Sequence, residues 1–272
     1  MSRVAAQQRG EQQGASLVGR VALLGLGEAG SRLATDLVAA GVEVSGYDPD
    51  PDRDVPSISR ARDPAAAAAG CDVVLSVNAA KAALHAATAA LPALRETTIY
   101  ADMNTASPAL KRELASLVSG VRASFADVAL LGPIPERGLH APVLASGVGA
   151  RAFADIFESL GMPVRVISEE AGDAAALKLV RSVFMKGLAA AAVESMQAAE
   201  AVGHGEWLEH EIEAMIGRPF LERALEGSRR HAARRVDEME AARDLLLELG
   251  VEPRIATTAA AQLADLAATE ER

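Results

Sequence analysis

One segment near the start of the chain constrains its fold more than any other. An apolar run over residues 21–25 leads into the glycine triplet Gly25, Gly27 and Gly30. A helical pattern follows, and a second apolar run then ends in Asp48. In such a turn the first glycine permits a tight bend, the second lets backbone approach a pyrophosphate, and the third lets the helix pack closely on the strand. This order predicts a dinucleotide-binding unit.

The turn and the acid suggest how that dinucleotide is held. A helix N-terminus offers unpaired N–H groups and a positive dipole end to phosphates, and Asp48 stands where a carboxylate can accept both ribose hydroxyls. Further acids at 50, 52 and 54 would repel a 2′-phosphate, so we expect NAD rather than NADP, with Arg53 as the only nearby cation that could reverse the preference. The predicted cofactor-binding residues of this part are Gly25, Leu26, Gly27, Glu28, Ala29, Gly30 and Asp48.

Composition limits the partners. The formal net charge is −10, which disfavours nucleic acid because phosphates repel an acidic surface. The apolar runs are short and interrupted by charge, which predicts no membrane span. Cys71 is the only cysteine, so no intrachain disulfide forms, and we expect a cytoplasmic protein that acts on a small molecule. Residues 1–16 are polar and predict a disordered tail.

Alternating patterns predict the architecture. Between residues 17 and 169 short apolar runs alternate with helical segments, which indicates a doubly wound, mostly parallel Rossmann sheet of class α/β. From 170 to 272 the patterns are helical only and predict an all-α domain for substrate binding and dimerisation. Its first helix, over 171–202, is apolar on nearly every side, which favours a buried position. We expect breaks at 217–219, at Gly227 and at 250–253.

Lysine is rare in this chain, which makes its position informative. The four lysines are Lys81, Lys111, Lys178 and Lys186, whereas arginine supplies the other cations. Lys178 lies in an apolar helical segment, with Ser182 and Lys186 on the same face. A partly buried lysine can exchange a proton near neutral pH, which arginine cannot do. Lys178 is therefore a candidate general acid/base, and the alternative is a lysine that reaches from a helix end to solvent.

Polar residues also follow two neighbouring strands. Asn104 and Thr105 follow one, and Val77 and Asn78 follow another, so all four are expected at the edge where open α/β sheets bind ligands. We predict that Asn104 and Thr105 contact the nicotinamide ribose or carboxamide and that Asn104 also orients the reactants. Val77 and Asn78 are predicted to line the same cofactor crevice. Capping of the following helices is the alternative role for the Asn and Thr residues.

Four stretches together resemble a known superfamily. They are the glycine turn at 25–30, Asp-Met-Asn-Thr at 102–105, the segment 125–133, and the segment from 172 through Lys178 to 187. Over residues 18–268 the chain resembles the β-hydroxyacid dehydrogenases, which include 3-hydroxyisobutyrate and 6-phosphogluconate dehydrogenases. It looks most like a bacterial branch with a phosphogluconate dehydrogenase-type NAD-binding domain and an uncharacterised helical domain. The resemblance implies that Lys178 is the catalytic acid/base.

Two positions depart from that superfamily. Ser182 stands where an asparagine is usual, and Leu131 stands where a substrate-binding serine is common. Both changes favour a substrate other than a small hydroxyacid, bulkier or less polar. We predict substrate contacts from Leu131, Gly132, Pro133, Arg137 and His231. Arg137 is alternatively a solvated loop residue, and the segment around His231 an exposed helix with arginine–glutamate pairs such as Arg234 with Glu238.

The expected activity is hydride transfer between a nicotinamide and a small-molecule alcohol or carbonyl, with Lys178, Ser182 and Asn104 at the catalytic centre. Two alternatives stay open, an imine reductase on the same fold and a dinucleotide sensor without catalysis.

The five histidines form no metal motif. The apolar helical segment after residue 170 predicts a homodimer.

Overall fold

The computed structural model describes residues 19–270, so the predicted tail at 1–16 lies outside the described residues. Eight strands form one sheet in the order β3-β2-β1-β4-β5-β6-β7-β8. Every neighbouring pair is parallel except β6 and β7. This confirms the predicted doubly wound, mostly parallel sheet. The strands are β1 (Arg20–Leu24), β2 (Glu43–Tyr47), β3 (Ser59–Arg60), β4 (Val73–Ser76), β5 (Ile99–Asp102), β6 (Ser124–Leu130), β7 (Val143–Ser146) and β8 (Val164–Ser168).

Helices cover both faces of the sheet, which explains why its central strands are buried along nearly their whole length. One face packs on α1 and α6 through residues such as Leu33 and Phe153, and the other packs on α2, α3 and α4 through residues such as Leu114. Residues 138–140 form a short 3₁₀ turn after α5. The helices of this part are α1 (Glu28–Ala39), α2 (Pro64–Ala68), α3 (Ala80–Ala90), α4 (Pro108–Ser119), α5 (Ile134–Arg137) and α6 (Ala150–Ser159).

The second part of the chain is helical, as predicted. The long helix α7 packs against each of the four helices that follow it. Its buried residues include Leu179 and Val193, but Leu177, Val180 and Phe184 are exposed. The expectation that α7 is buried on nearly every side is therefore wrong, because one apolar stripe faces outward. These helices are α7 (Asp173–Ala201), α8 (Gly205–Ile216), α9 (Arg218–Arg230), α10 (Ala232–Glu248) and α11 (Arg254–Glu270).

One predicted break is also wrong. Gly227 lies inside α9, which continues to Arg230, and the chain turns at His231 instead. A Cβ on Gly227 would collide with the guanidinium of Arg235, so this glycine permits a close side-chain approach rather than a turn.

No helix in the described part of the chain is long and apolar enough to cross a bilayer.

Candidate active site

The glycine turn between β1 and α1 is shaped by close backbone contacts. Gly25 has a φ of +112°, and a Cβ there would overlap the carbonyl oxygen of Val77. A Cβ on Gly30 would overlap the carbonyl oxygen of Gly25, so the helix lies directly on the strand. A Cβ on Gly27 would meet only the side chain of Arg53. At Gly27 only this side chain is close, so the predicted approach of a pyrophosphate to its backbone stays a prediction.

Asp48 follows β2 at the same edge of the sheet and is 6% exposed. Its Oδ2 atom accepts a hydrogen bond of 2.7 Å from the backbone N–H of Leu26, which ties the carboxylate to the glycine turn. Helix α1 begins after Gly27 without a side-chain cap, so its first N–H groups are available to an anion. The turn and the carboxylate together fit the phosphates and the adenosine ribose of a dinucleotide.

The acidic loop after Asp48 carries two arginines. Arg53 Nη1 lies 3.7 Å from Asp48 Oδ2, and Arg53 Nε lies 3.3 Å from Asp50 Oδ2. Arg60 donates to the carbonyl oxygens of Asp48 at 2.9 Å and Asp50 at 2.8 Å. The sequence interpretation that Arg53 is the only nearby cation is therefore wrong. Arg60 is distant along the chain, but β3 pairs with β2 and brings it back to this loop.

The ends of β4 and β5 are joined by amide hydrogen bonds. The backbone N–H of Asn78 donates to Asn104 Oδ1 at 2.6 Å. Asn104 Nδ2 donates to Asp102 Oδ2 at 2.6 Å and to Ser76 Oγ at 3.0 Å. Asn78 and Asn104 thus lie together, as their positions after neighbouring strands suggest. Because both ends of the Asn104 amide already have protein partners, this side chain holds the crevice edge together. Its contacts with cofactor and reactants stay predictions.

Lys178 reaches that edge from helix α7. Its Nζ atom donates a 2.6 Å hydrogen bond to Oγ1 of Thr105, just beyond the end of β5. Burial lowers the pKa of the Lys178 ammonium to about 8. The charge of Glu238 raises that pKa, whereas those of Lys111 and Lys186 lower it further. A general acid/base near neutral pH needs a pKa in this range.

Side chains on two neighbouring strands cap the first turn of helix α7. Gly172 precedes the helix with a φ of +102° and offers no side-chain cap. Instead, the N–H of Ala174 donates to Ser146 Oγ at 3.0 Å, and that of Ala175 donates to Asp127 Oδ2 at 2.9 Å. These bonds satisfy helix N–H groups that would otherwise be buried without partners. They also fix α7 against the sheet one turn before the candidate catalytic lysine.

A buried ion cluster lies beneath this contact. The Nζ atom of Lys111 is 2.6 Å from Asp102 Oδ1 and 3.1 Å from Asp127 Oδ1, and all three side chains are at most 1% exposed. Burial lowers the pKa of Lys111, but the two carboxylates outweigh it and the pKa is raised above its usual value. Lys111 is therefore a fixed cation. The sequence interpretation counted it among the rare lysines and gave it no role.

The site also contains a carboxylate that the sequence interpretation missed. Glu238 of α10 accepts a short hydrogen bond from Ser182 Oγ and lies 3.0 Å from Lys186 Nζ. Burial raises the pKa of Glu238, but the charges of Lys186 and Lys178 outweigh it, so the pKa is lowered. The surface pairing of Glu238 with Arg234, considered above as an alternative, is wrong. Glu238 packs against the helix face that was predicted to carry Lys178, Ser182 and Lys186.

The predicted substrate segment occupies a different neighbourhood. Leu131, Gly132 and Pro133 follow β6, and Arg137 ends α5. This segment is held on helix α1, because Arg32 donates to the carbonyl oxygen of Pro135 and Asp36 accepts from the N–H of Leu139. The described hydrogen bonds therefore join it to the helix of the glycine turn. Substrate contacts by its residues stay predictions.

His231 lies at the junction of α9 and α10, so the segment around it is not one continuous helix. Burial lowers the pKa of His231, and the charges of Arg234 and Arg230 act in the same direction. Arg230 Nη2 lies 3.8 Å from Glu28 Oε1 at the start of α1. The structure thus brings this junction to the glycine turn.

Two family models match the chain. The NAD binding domain of 6-phosphogluconate dehydrogenase matches residues 20–167. The chain belongs to this family. A domain of unknown function, DUF1932, matches residues 199–266, which includes Glu238. The resemblance to the β-hydroxyacid dehydrogenase superfamily is thereby confirmed, as is a nicotinamide dinucleotide, NAD or NADP, as the cofactor.

Known proteins share this architecture. A solved conserved protein of unknown function, described as structurally similar to 3-hydroxyacid dehydrogenases, is 30% identical, with 91% of this chain and 96% of that chain covered and a TM-score of 0.72. The 3-hydroxyisobutyrate dehydrogenase of Mycobacterium tuberculosis, solved with L-serine, has the same fold at 21% identity, 93% and 94% coverage and a TM-score of 0.79. An uncharacterised 28.5 kDa protein of Methanothermus fervidus is 29% identical over 57% of this chain; the match spans 61% of that relative.

Proposed function

We propose that this chain is an NAD(P)-dependent oxidoreductase that moves a hydride between a nicotinamide and a small-molecule alcohol or carbonyl. The observation that carries the proposal is the position of Lys178. Its ammonium, with a pKa lowered to about 8, meets Thr105 just past the end of a strand in a dinucleotide-binding sheet. A proton carrier at that place suits a redox reaction at a carbon–oxygen bond.

Lys178 Nζ would carry the proton in either direction. During carbonyl reduction the ammonium gives a proton to the substrate oxygen, and during alcohol oxidation the neutral amine takes one from the hydroxyl. The nicotinamide, when bound, supplies or accepts the hydride. Thr105 accepts a hydrogen bond from Lys178 and so orients Nζ. A pKa of about 8 leaves both forms of Lys178 populated near neutral pH.

Glu238, Ser182 and Lys186 would form the polar wall beside this lysine. The Ser182 hydroxyl donates to Glu238 and the residue is 1% exposed, so Ser182 would act by positioning that carboxylate. An asparagine, usual here in the superfamily, would offer an amide donor as well. The two departures from the superfamily, Ser182 and Leu131, favour a substrate other than a small hydroxyacid, bulkier or less polar.

Imine reduction on the same fold is the nearest enzymatic alternative, and retention of Lys178 favours alcohol or ketone chemistry over it. The alternative that is not an enzyme is a dinucleotide sensor without catalysis.

Location in the cytoplasm and assembly as a homodimer stay predictions. They are supported by the single cysteine and by the exposed apolar stripe of α7, respectively.

A substrate panel tests the proposal. Purified protein is incubated with NAD or NADP and hydroxyacids or larger alcohols, and with the reduced cofactors and ketones or cyclic imines. Nicotinamide absorbance reports turnover, and Lys178→Met is run beside every active substrate. We expect turnover of an alcohol–carbonyl pair that this variant loses. Turnover of imines alone would support the imine reductase, and dinucleotide binding without turnover across the panel would support the sensor.

A further inference from the structure

Lys111 lies at the centre of a buried polar network that reaches both sides of the candidate active site. Its ammonium donates to the backbone carbonyl oxygen of Asp102 at 2.8 Å and to Asp102 Oδ1 at 2.6 Å. The same nitrogen lies 3.1 Å from Asp127 Oδ1. Asp102 and Asp127 are paired residues on β5 and β6, so oxygens of two neighbouring strands surround the three N–H donors. Both strands together fix the position of this cation.

The first branch of the network runs through Asp102 to the crevice edge. Its Oδ1 atom faces Lys111, and its Oδ2 atom accepts the 2.6 Å hydrogen bond from Asn104 Nδ2. That bond decides which way the amide points, because Nδ2 is a donor and Oδ1 is an acceptor. Asn104 Oδ1 is then left to accept from the backbone N–H of Asn78 at 2.6 Å. The orientation of the Asn104 amide thus depends on a carboxylate that Lys111 holds.

The second branch runs through Asp127 to helix α7. Its Oδ1 atom faces Lys111, and its Oδ2 atom accepts from the N–H of Ala175 at 2.9 Å and from the Ser146 hydroxyl at 3.2 Å. Ala175 belongs to the first turn of α7, about one helical turn before Lys178. The placement of this helix on the sheet therefore depends on the second carboxylate that Lys111 holds.

The two branches meet again at the contact between Lys178 and Thr105. Thr105 follows Asn104 in the chain, and its Oγ1 atom accepts from Lys178 Nζ at 2.6 Å. A closed ring of contacts thus runs from Lys111 along β5 to this contact and returns through α7 and β6. A misplacement of a reacting group by about 1 Å can lower a rate about a hundredfold. This ring limits such a misplacement of the Lys178 ammonium relative to the crevice edge.

Stability alone does not account for charges at this place. A buried ion cluster loses solvation that its internal attraction only partly offsets, and apolar residues of similar volume are often as stabilising. The charges supply direction instead. Each of the two carboxylates has one oxygen beside Lys111 and the other bound to a group that borders the candidate active site.

We propose that Lys111 is a positioning residue of the oxidoreductase reaction, which acts through Asp102 and Asp127 to hold Asn104 and Lys178 at one relative position. Lys111 is 1% exposed, so it acts only through these carboxylates. The inference rests on the proposed function and adds a residue to the machinery of that same site.

Amide hydrogen exchange tests the network without substrate or cofactor. Lys111→Gln removes the charge and keeps a polar side chain, whereas the control Arg112→Gln removes the charge of the exposed neighbour on α4. NMR follows the N–H of Asn78 on the first branch and that of Ala175 on the second. The N–H of Leu26 is the reference, because it is bound at the glycine turn, outside the network.

In Lys111→Gln the amides of Asn78 and Ala175 should exchange at least about tenfold faster relative to that of Leu26, because local opening of both branches becomes easier. Arg112→Gln should keep the wild-type ratios. Equal acceleration of all three amides would mean that Lys111 only stabilises the fold as a whole, and it would overturn the proposal. Acceleration of one branch alone, or of neither, would overturn it as well.

Thermal melts establish whether Lys111→Gln is folded. If it is not, Lys111→Met combined with Asp102→Asn and Asp127→Asn takes its place. This triple variant leaves no unpaired buried charge in the cluster, because all three charges are removed together. The ring is still broken, so the same differences in exchange are expected.

Turnover is the second measurement, with an alcohol–carbonyl pair that is active in the substrate panel. Lys111→Gln should lower kcat about tenfold to a hundredfold and leave KM within about threefold, since the reacting groups are misplaced while binding is kept. Arg112→Gln should change neither. A wild-type kcat, or a loss confined to KM, would overturn the proposal. Wild type without turnover on the panel would contradict the proposed function, whereas exchange would still decide whether Lys111 holds both branches.

Discussion

Lys178 Nζ and the hydroxyl oxygen of Thr105 lie 2.6 Å apart, so a hydrogen bond joins helix α7 to the loop just beyond the end of strand β5. The lysine side of this contact is fixed by the sheet. The first turn of α7 is bound to Asp127 and Ser146 on neighbouring strands. A lysine on a fixed helix thus faces the sheet edge at which the dinucleotide is expected.

Replacement of Lys178 by Met should remove turnover but preserve cofactor binding. Methionine keeps an apolar stem of similar length and removes the exchangeable proton. We expect the rate to fall by about a hundredfold to ten-thousandfold, the usual contribution of a general acid/base, in steady-state assays with the true substrate. Dinucleotide affinity depends on the glycine turn and Asp48, and should stay at the wild-type value in a calorimetric titration.

Lys186→Met is the matched control on the same helix. It should have a smaller effect on the rate, because Lys186 pairs with Glu238 rather than with Thr105. If both variants turned over at the wild-type rate, Lys178 would be a structural lysine. The proton donor would then have to be sought elsewhere, first at His231.

The rate should depend on pH with opposite sign in the two directions. The pKa of Lys178 is about 8, and reduction needs the ammonium form. In the reductive direction kcat/KM should therefore be constant at low pH and fall as pH rises through about 8. Oxidation needs the neutral amine, so kcat/KM should rise through about 8 to a plateau. Profiles that change in the same sense in both directions would contradict this assignment.

Glu238 should set the midpoint of those profiles. Its negative charge raises the pKa of Lys178, so Glu238→Gln should move the midpoint to lower pH. A residue with only a packing role would change stability and leave the midpoint in place. Glu240→Gln, an exposed position on the same helix, is the control and should change neither. An unchanged midpoint in Glu238→Gln would show that the carboxylate does not act on Lys178.

Local patterns in the sequence predicted the dinucleotide part well. The glycine turn, Asp48 and the helix between them are adjacent in the chain, and their arrangement follows from backbone sterics and from the alternation of strands and helices. Asn78 and Asn104 were also placed correctly relative to each other, because parallel strands end at one edge. The short elements β3 and α5 and the 3₁₀ turn at 138–140 were not predicted, because they lie in segments that resemble loops.

The sequence alone could not predict which segments distant along the chain contact one another. Glu238 looked like one charge on an exposed helix, and nothing local shows that α10 docks on Ser182 and Lys186, more than fifty residues earlier. The caps of α7 are likewise supplied by Asp127 and Ser146, from other strands. In each case tertiary packing decides the partner of a polar group, and short-range periodicity contains no information on it.

Removal of Lys111 should destabilise the fold. Lys111→Met would leave Asp102 and Asp127 fully buried without a cation, and breaking a buried ion pair costs about 3–5 kcal/mol. We expect a loss of this size in the free energy of unfolding from urea denaturation at neutral pH. Lys81→Met, at an exposed position, is the control and should stay near wild type. A wild-type midpoint for Lys111→Met would contradict a stabilising role for the ion pairs of Lys111 with Asp102 and Asp127.

The exposed stripe of α7 should be the centre of a homodimer interface. Leu177, Val180 and Phe184 follow helical spacing along one side and are 47%, 46% and 67% exposed. Burial of such a stripe against a second copy removes apolar surface from water, so we expect a dimer by light scattering at micromolar concentration. Phe184→Arg should give a folded monomer, because a charge there loses its solvation on association. Val148→Arg is the control at an exposed apolar residue outside the stripe, and it should leave the dimer intact. A monomeric wild type, or a dimer that survives Phe184→Arg, would exclude this face as the interface.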